Sequence, residues 1–299
     1  MAEAQRAAEN ALAGGLIRLA LWLSRPSRLA LGGLIGRLLY HADRKHRNTA
    51  LRNLQTAFGA RVSLSRQKRI AIAAFEHFGA AFLDLVGAAK EHPRAIANRI
   101  SVKGLAFIQE ALGEGKGALL FSAHFGNWEM APAFLSQVGR LNVVARPLDN
   151  PHLERRLQAI RAALGSRVIS KHRAARQVLR ALRANDMVAI LIDQNVLRSQ
   201  AVFVDFFGKP AATTPSLATF HLRSRAPLIP VFCYPADNRG YRLDILPPVT
   251  VSLSGDEHAD VLKITQACTK IIQHRIQEDP EYWFWFHDRW KTRPPGEKT

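Results

Sequence analysis

Leu119 to Met130 read LLFSAHFGNWEM, and how this stretch is parsed decides the fold. Apolar and small residues run into His124, Gly126 and Asn127 follow, and a carboxylate arrives at Glu129. A glycine followed by asparagine suits a turn better than a regular element. The parse is a buried strand, a tight turn bearing a histidine, and a helix whose first turn bears a glutamate. Open α/β sheets gather their chemistry beyond the carboxyl ends of strands, which is where His124 stands. On one unbroken helix, side chains five positions apart would point about 140° away from each other. A break at Gly126 removes that obstacle, so Glu129 is expected to hold one imidazole nitrogen and leave the other free as a base. The spacing is not the His-Glu-x-x-His of a zinc site, and neither a metal nor a cofactor is expected.

Outward from this stretch, from Ile100 on, short apolar runs alternate with helical patterns. Strands are expected at 117–123, 141–145, 168–169, 187–193, 202–206, 228–234 and 241–245. Helices are expected at 128–137, 151–164, 174–184, 215–223 and 258–277. Such alternation argues an α/β domain with a mostly parallel central sheet flanked by helices. Before it, Leu64 to Ala89 reads as one long helix that Ser63 or Ser65 can cap, with Ile70, Ala74, Phe75, Phe78, Phe82 and Leu85 at helical spacing. That stripe is core in the first instance; Phe78 and Phe82 are also placed to face an acyl chain.

Residues 1–60 are expected to form membrane-associating helices, and 61–299 the catalytic domain. Ala11 to Leu23 and Leu29 to Tyr40 are apolar, but Arg18, Arg25, Arg28 and Arg37 interrupt them and Pro26 breaks them. Their charge-free runs fall short of the roughly 20 residues a spanning helix needs. Amphipathic helices lying on an anionic leaflet fit better. The whole chain is strongly basic, with 42 Lys plus Arg against 24 Asp plus Glu in 299 residues, and expects an anionic partner. Nucleic acid is not expected: there is no zinc spacing, aromatic RNA-binding signature or lysine run. Cys233 and Cys268 make no disulfide framework and are expected reduced.

Six ordered blocks then carry a resemblance: RNTALRNLQTAF at 47–58, AHFGNWE at 123–129, ARPLDNPHLERRLQAIRAALG at 145–165, LIDQN at 191–195, FVDFFGKPAATTPS at 203–216 and YWFWFHDRWKTRP at 282–294. Together they resemble the late acyltransferases of lipid A biosynthesis, the lauroyl and myristoyl transferases, within the lysophospholipid acyltransferase-like superfamily. The resemblance implies a glycerolipid acyltransferase-like fold. It implies transfer of a fatty acyl group from acyl carrier protein to a hydroxyl of a lipid A precursor at the cytoplasmic face of the bacterial inner membrane. Many members of that family begin with a spanning helix; here arginines and Pro26 interrupt it, and a peripheral or monotopic attachment is expected instead. The resemblance implies His124 as base with Glu129 as its partner, and it matches Arg146, Asn150 and Arg161 to recurrent positions. Other acceptors, a phosphoinositide mannoside or a lysophospholipid, stay open, as does a non-catalytic protein that binds anionic membranes.

The substrate-binding candidates are Asn127, Arg146, Arg161, Asp193, Phe207 and Gly208. Arg146 and Arg161 offer planar donors for a phosphate, although Arg161 on a polar helix face also reads as a solvated charge. Asp193 ends a buried strand, where an unpaired carboxylate is costly; the favoured partner is one of those arginines. Phe206, Phe207 and Gly208 either wall an acyl tunnel or form ordinary core. Thr213 and Thr214 before Pro215 read first as a helix cap. The aromatic tail at 282–290 reads as a segment docked on the core and as an interfacial belt, with Arg289, Lys291 and Arg293 facing headgroups. His41, His46, His77, His172, His221 and His274 have no readable partner and are taken as structural or surface.

Overall fold

The computed structural model describes residues 14–171, 174–236 and 240–296; His172 and the start of the apolar stretch at Ala11 lie outside them. At its centre is β2 (Ala118–Ser122), whose ALLFS has no polar residue until its last position. A strand apolar on both faces belongs in the middle of a covered sheet. The sheet has seven strands in the order β1-β9-β8-β2-β5-β3-β4. They are β1 (Ile100–Lys103), β3 (Leu141–Ala145), β4 (Ser166–Ser170), β5 (Met187–Leu191), β8 (Leu228–Pro235) and β9 (Tyr241–Ile245) around β2. Every neighbouring pair is parallel except β8 with β9. The mostly parallel sheet expected from the alternation is present. Val202–Phe206 (β6) is a strand as expected but lies outside this sheet, paired antiparallel with β7 (Lys209–Thr213).

Helices cover both faces. One cluster joins Leu120, Met187 and Ile229 to α6 (Leu105–Gly113) and α7 (Ala131–Val138). The other joins Leu119, Phe121 and Val188 to α9 (Ala174–Arg183), α10 (Ser216–Ser224), α11 (Glu257–Glu278) and the aromatic tail. Two further helices are α5 (Pro93–Ala97), packed against α7, and α8 (Pro151–Ala163), capped by Asn150.

At the amino end, residues 14–22 form α1, followed by α2 (Arg25–Ala42), α3 (Arg44–Phe58) and α4 (Leu64–Ala88), which Ser63 caps. α2 and α4 cross in near backbone contact: a Cβ on Gly36 would lie 2.0 Å from the Phe75 carbonyl oxygen, and one on Gly79 2.1 Å from that of Gly32. Arg25 and Arg28 do not face headgroups as their basic character suggested. Arg25 binds Asp84 of α4 through Nε and Nη2, and Arg28 reaches Asp84 and Glu91. Asp84 is buried, and a carboxylate there needs these cations. α3 likewise packs into the body: Asn53 donates to the carbonyls of Trp285 and His287. α4 is long and apolar enough to cross a membrane, but half of its most apolar window is buried in the protein. It is a core helix that carries Asp84 and His77.

Candidate active site

β2 and β5 run side by side in register, with Ser122 opposite Leu191. Two residues beyond that pair, one strand leads to His124 and the other to Asp193. The register therefore brings the imidazole and the carboxylate together. His124 Nδ1 lies 2.8 Å from Asp193 Oδ1, and the His124 backbone N–H donates to Asp193 Oδ2 at 2.9 Å. A carboxylate only accepts, so Nδ1 carries the proton and Nε2 presents its lone pair. The Trp283 indole N–H adds a third hydrogen bond to Asp193 Oδ2, at 2.8 Å. Burial alone would raise the Asp193 pKa; the imidazole, the backbone N–H and the indole outweigh it and hold the carboxyl below its ordinary range.

The expected His124–Glu129 pair does not form. Gly126 turns the chain at φ +60, where a Cβ would lie 2.1 Å from the Cys233 carbonyl oxygen. The 3-10 turn Trp128–Met130 follows. It sets Trp128 edge-on against His124, with ring centroids 4.9 Å apart, and carries Glu129 away toward α8. There Arg161 clasps Glu129 with two parallel bonds, Nε to Oε2 at 3.0 Å and Nη2 to Oε1 at 2.5 Å. Burial works against the Arg161 charge, but Glu129 more than offsets it and its pKa stands above the ordinary value. The two carboxylates have thus exchanged their expected partners. Asp193, expected beside an arginine, holds the histidine; Glu129, expected beside the histidine, holds the arginine.

The other candidates scatter. Asn127 is buried and donates to the Tyr241 hydroxyl at 2.9 Å, a strut of the turn rather than a substrate ligand. Arg146 is exposed and pairs with Asp149, clear of His124. Phe207 and Gly208 form the tip of the β6–β7 hairpin, both at positive φ, and line neither of the two cavities described below. Thr214 Oγ1 accepts from the Ser216 N–H at the start of α10, while Thr213 is buried under Arg289.

Of the two readings of the aromatic tail, the segment docked on the core is the one present, and its tryptophans form no interfacial belt. Trp283, Trp285, Trp290 and Arg289 are all buried. Its backbone pairs with the turn after β2, with the Gly126 N–H donating to the Tyr282 carbonyl and the Phe284 N–H to the His124 carbonyl. His287 Nε2 accepts from the Asn195 N–H at 2.9 Å, just beyond Asp193. Arg289 is anchored on Ala212 O and Thr213 Oγ1, and burial lowers its pKa to about 10. Antiparallel backbone pairing between segments this far apart, Phe125 with Trp283, leaves no local signal; the density of tryptophan in the tail is the one visible sign.

His77, read as having no partner, also supports the turn. From α4 its Nε2 donates to the Gly126 carbonyl at 3.0 Å, and burial lowers its pKa to about 4. The unfolded chain takes up this proton near pH 6.5, whereas the folded chain resists to about pH 4. The stability due to a neutral His77 is complete above pH 6.5 and is lost as pH falls toward 4, by roughly 3 kcal/mol. Urea unfolding followed between pH 7 and 4 should therefore show a shallower decline for His77→Gln than for the parent chain. Equal slopes would refute the buried neutral imidazole.

Two apolar cavities approach His124. The first lies between the sheet and α7, lined by Leu120, Leu135, Leu141, Val143, Ala189 and others, with Trp128, Glu129 and Arg161 also in its wall. Ser122 Oγ and Arg161 Nη1, both from lining residues, are buried without a hydrogen-bond partner. The second is an open groove between α2, α4 and the tail, lined by Ile35, Leu39, Phe78, Phe82 and Phe284, among others. Phe284 lies against His124, with ring centroids 6.1 Å apart. No group of His, Cys, Asp and Glu suited to a metal ion occurs among the described residues. The imidazole, held at Nδ1 by a buried carboxylate, is thus set between two apolar grooves.

The sequence model of the family described as Bacterial lipid A biosynthesis acyltransferase matches residues 5–292. The chain is 28% identical over 291 residues to a lipid A biosynthesis acyltransferase of Haemophilus influenzae, covering 95% of this chain and 88% of the relative. It is 27% identical to the lipid A biosynthesis lauroyltransferase of Escherichia coli K12, covering 94% and 91%. It is also 29% identical over 225 residues to a phosphatidylinositol mannoside acyltransferase of Mycobacterium tuberculosis, covering 73% and 69%.

Proposed function

The chain belongs to the bacterial lipid A biosynthesis acyltransferase family, and on that premise we propose that it moves a fatty acyl group from acyl carrier protein to a hydroxyl of a lipid A precursor, with His124 as general base and Asp193 as its orienting carboxylate. One observation carries the reading: the His124 imidazole, with its Nε2 as the accepting nitrogen, lies beside an apolar cavity whose wall includes Trp128, the residue packed on the ring. A base at the mouth of a slot for an alkyl chain is what acyl transfer to a lipid requires.

In this mechanism Nε2 takes the proton of the lipid hydroxyl as its oxygen attacks the thioester carbonyl. Asp193 fixes the tautomer and stabilises the imidazolium that forms. When the tetrahedral intermediate collapses, the carbon–sulfur bond breaks and the imidazolium protonates the departing sulfur. General base catalysis of this kind contributes about 10²- to 10⁴-fold. The acyl chain lies in the cavity under α7. Ser122 Oγ and Arg161 Nη1, the unpartnered donors of residues lining this cavity, serve the thioester oxygen. The strongly basic chain suits the acidic surface of acyl carrier protein.

The acceptor reaches the base from the membrane. Leu19, Trp22, Leu34, Leu38, Leu39 and Phe82 are exposed on α1, α2 and α4, Trp22 at 88%. Leu39 and Phe82 line the second groove, and exposed Arg18 and Arg37 lie on the same helices as the rest. A patch of this kind marks an interaction surface, and here it rests on the cytoplasmic face of the inner membrane.

The test is transfer from acyl–acyl carrier protein to a panel of lipid A precursor, mannosylated phosphoinositide and lysophospholipid, with co-sedimentation on anionic vesicles. The expected result is product on the lipid A precursor, none for His124→Ala, and vesicle binding by both proteins. Wild-type turnover by His124→Ala would overturn the base, and transfer to another acceptor alone would overturn the substrate.

A further inference from the structure

The residue after Asp193 has no part in the mechanism above, yet it touches the base. Gln194 Nε2 lies 3.2 Å from His124 Nε2. With the Nδ1 proton committed to Asp193, that ring nitrogen only accepts, and an amide nitrogen only donates. The contact is therefore an amide N–H on the lone pair that has to take the hydroxyl proton. The remainder of the ring is occupied: Asp193 holds Nδ1, and Trp128 and Phe284 pack against it. Gln194 sits where the acceptor's oxygen must arrive.

Taking His124 as the base, we propose that Gln194 is a specificity-determining residue that guards this base against water. The same dyad that activates a lipid hydroxyl would activate water. Nε2 would take a water proton as the water oxygen bonds to the thioester carbonyl; the carbon–sulfur bond would break, the imidazolium would protonate the sulfur, and free fatty acid and thiol would be released. In the empty site the amide holds the lone pair against this reaction. Water displacing it exchanges one hydrogen bond for another and gains nothing. A lipid acceptor brings apolar surface, whose burial readily offsets the lost bond. Gln194 therefore yields to the lipid in preference to the solvent. A net hydrogen bond of ordinary strength makes that guard worth about threefold to tenfold.

The test measures thiol release from acyl–acyl carrier protein by the full chain without acceptor, and acyl transfer with lipid A precursor present. Gln194→Ala is expected to raise thiol release about threefold to tenfold, and to raise the ratio of hydrolysis to transfer. Gln194→Met fills the same space without a donor and is expected to raise that ratio too, which separates the hydrogen bond from bulk. If both variants lose hydrolysis and transfer together, or leave the ratio unchanged, the guard does not exist. His124→Ala is the independent control: loss of both reactions upholds the base, whereas parental rates of both would refute the base itself, whatever Gln194 does.

Discussion

Asp193→Asn is expected to lower kcat by about 10⁴-fold with little change in KM, although the side chain keeps its size. Asp193 accepts three hydrogen bonds: the His124 ring on Oδ1, and the His124 backbone N–H and the Trp283 indole on Oδ2. Asparagine has one accepting oxygen and one donating amide. The two donors at the Oδ2 position claim the oxygen, because an amide there would leave both buried N–H groups without a partner. The amide must then face Nδ1 and can only donate to it. The imidazole responds by moving its proton to Nε2, and the lone pair that should receive the hydroxyl proton is gone. Glu129→Gln carries a different signature, because the His124 tautomer does not depend on Glu129. It takes from the largely buried Arg161 the charge of its bidentate partner, so the expected result is a lower melting temperature and a higher KM for the acyl donor. Steady-state kinetics on the two variants decide between the carboxylates. A mild Asp193→Asn beside a collapsed kcat in Glu129→Gln would reverse the assignment.

That contrast marks the boundary of what could be read from the chain. The α/β class, the helix Leu64–Ala88 and strands such as Leu141–Ala145 follow from local periodicity, and they lie where expected. So does His124 at the end of the central strand. The partner of His124 is not local. It depends on β5 lying next to β2 with Ser122 opposite Leu191, which no spacing within 119–130 encodes. The attraction of Glu129 as a partner was its nearness in sequence, but Gly126 and the following 3-10 turn present position 128, not 129, to the imidazole. The tail had two readings for a related reason. Trp, Tyr and Arg side by side suit an interface as well as a core, and only the pairing of Phe125 with Trp283 shows that this segment builds the floor of the site. Arg25 and Arg28 were ambiguous in the same way until Asp84, far along the chain, proved to be their partner.

Filling the cavity under α7 should shorten the acyl chain the enzyme accepts. Ala189 is the residue to change. It sits in the middle of β5, with Leu120 on one neighbouring strand and Val143 on the other, and all three line the cavity. The lining extends along β3 from Ala145 to Leu141, about 13 Å of strand. A phenylalanine at 189 would therefore block the slot partway down rather than at its mouth. It need not strain the core, because the ring enters open space, not packed side chains. Each methylene kept out of the cavity forfeits about 0.8 kcal/mol, close to fourfold in kcat/KM, so a donor four methylenes too long loses more than about 10²-fold. Donors short enough to end above Ala189 lose none of this. The measurement is kcat/KM over a series of acyl–acyl carrier proteins for the parent chain and Ala189→Phe. The expected result is a steep cut-off moved to shorter chains while the rate on the shortest donors persists. An unchanged length profile in a folded Ala189→Phe protein would mean that the acyl chain does not lie under α7. The groove beside Phe78 and Phe82 would then be the place to look for it, and the acceptor would need another approach to His124.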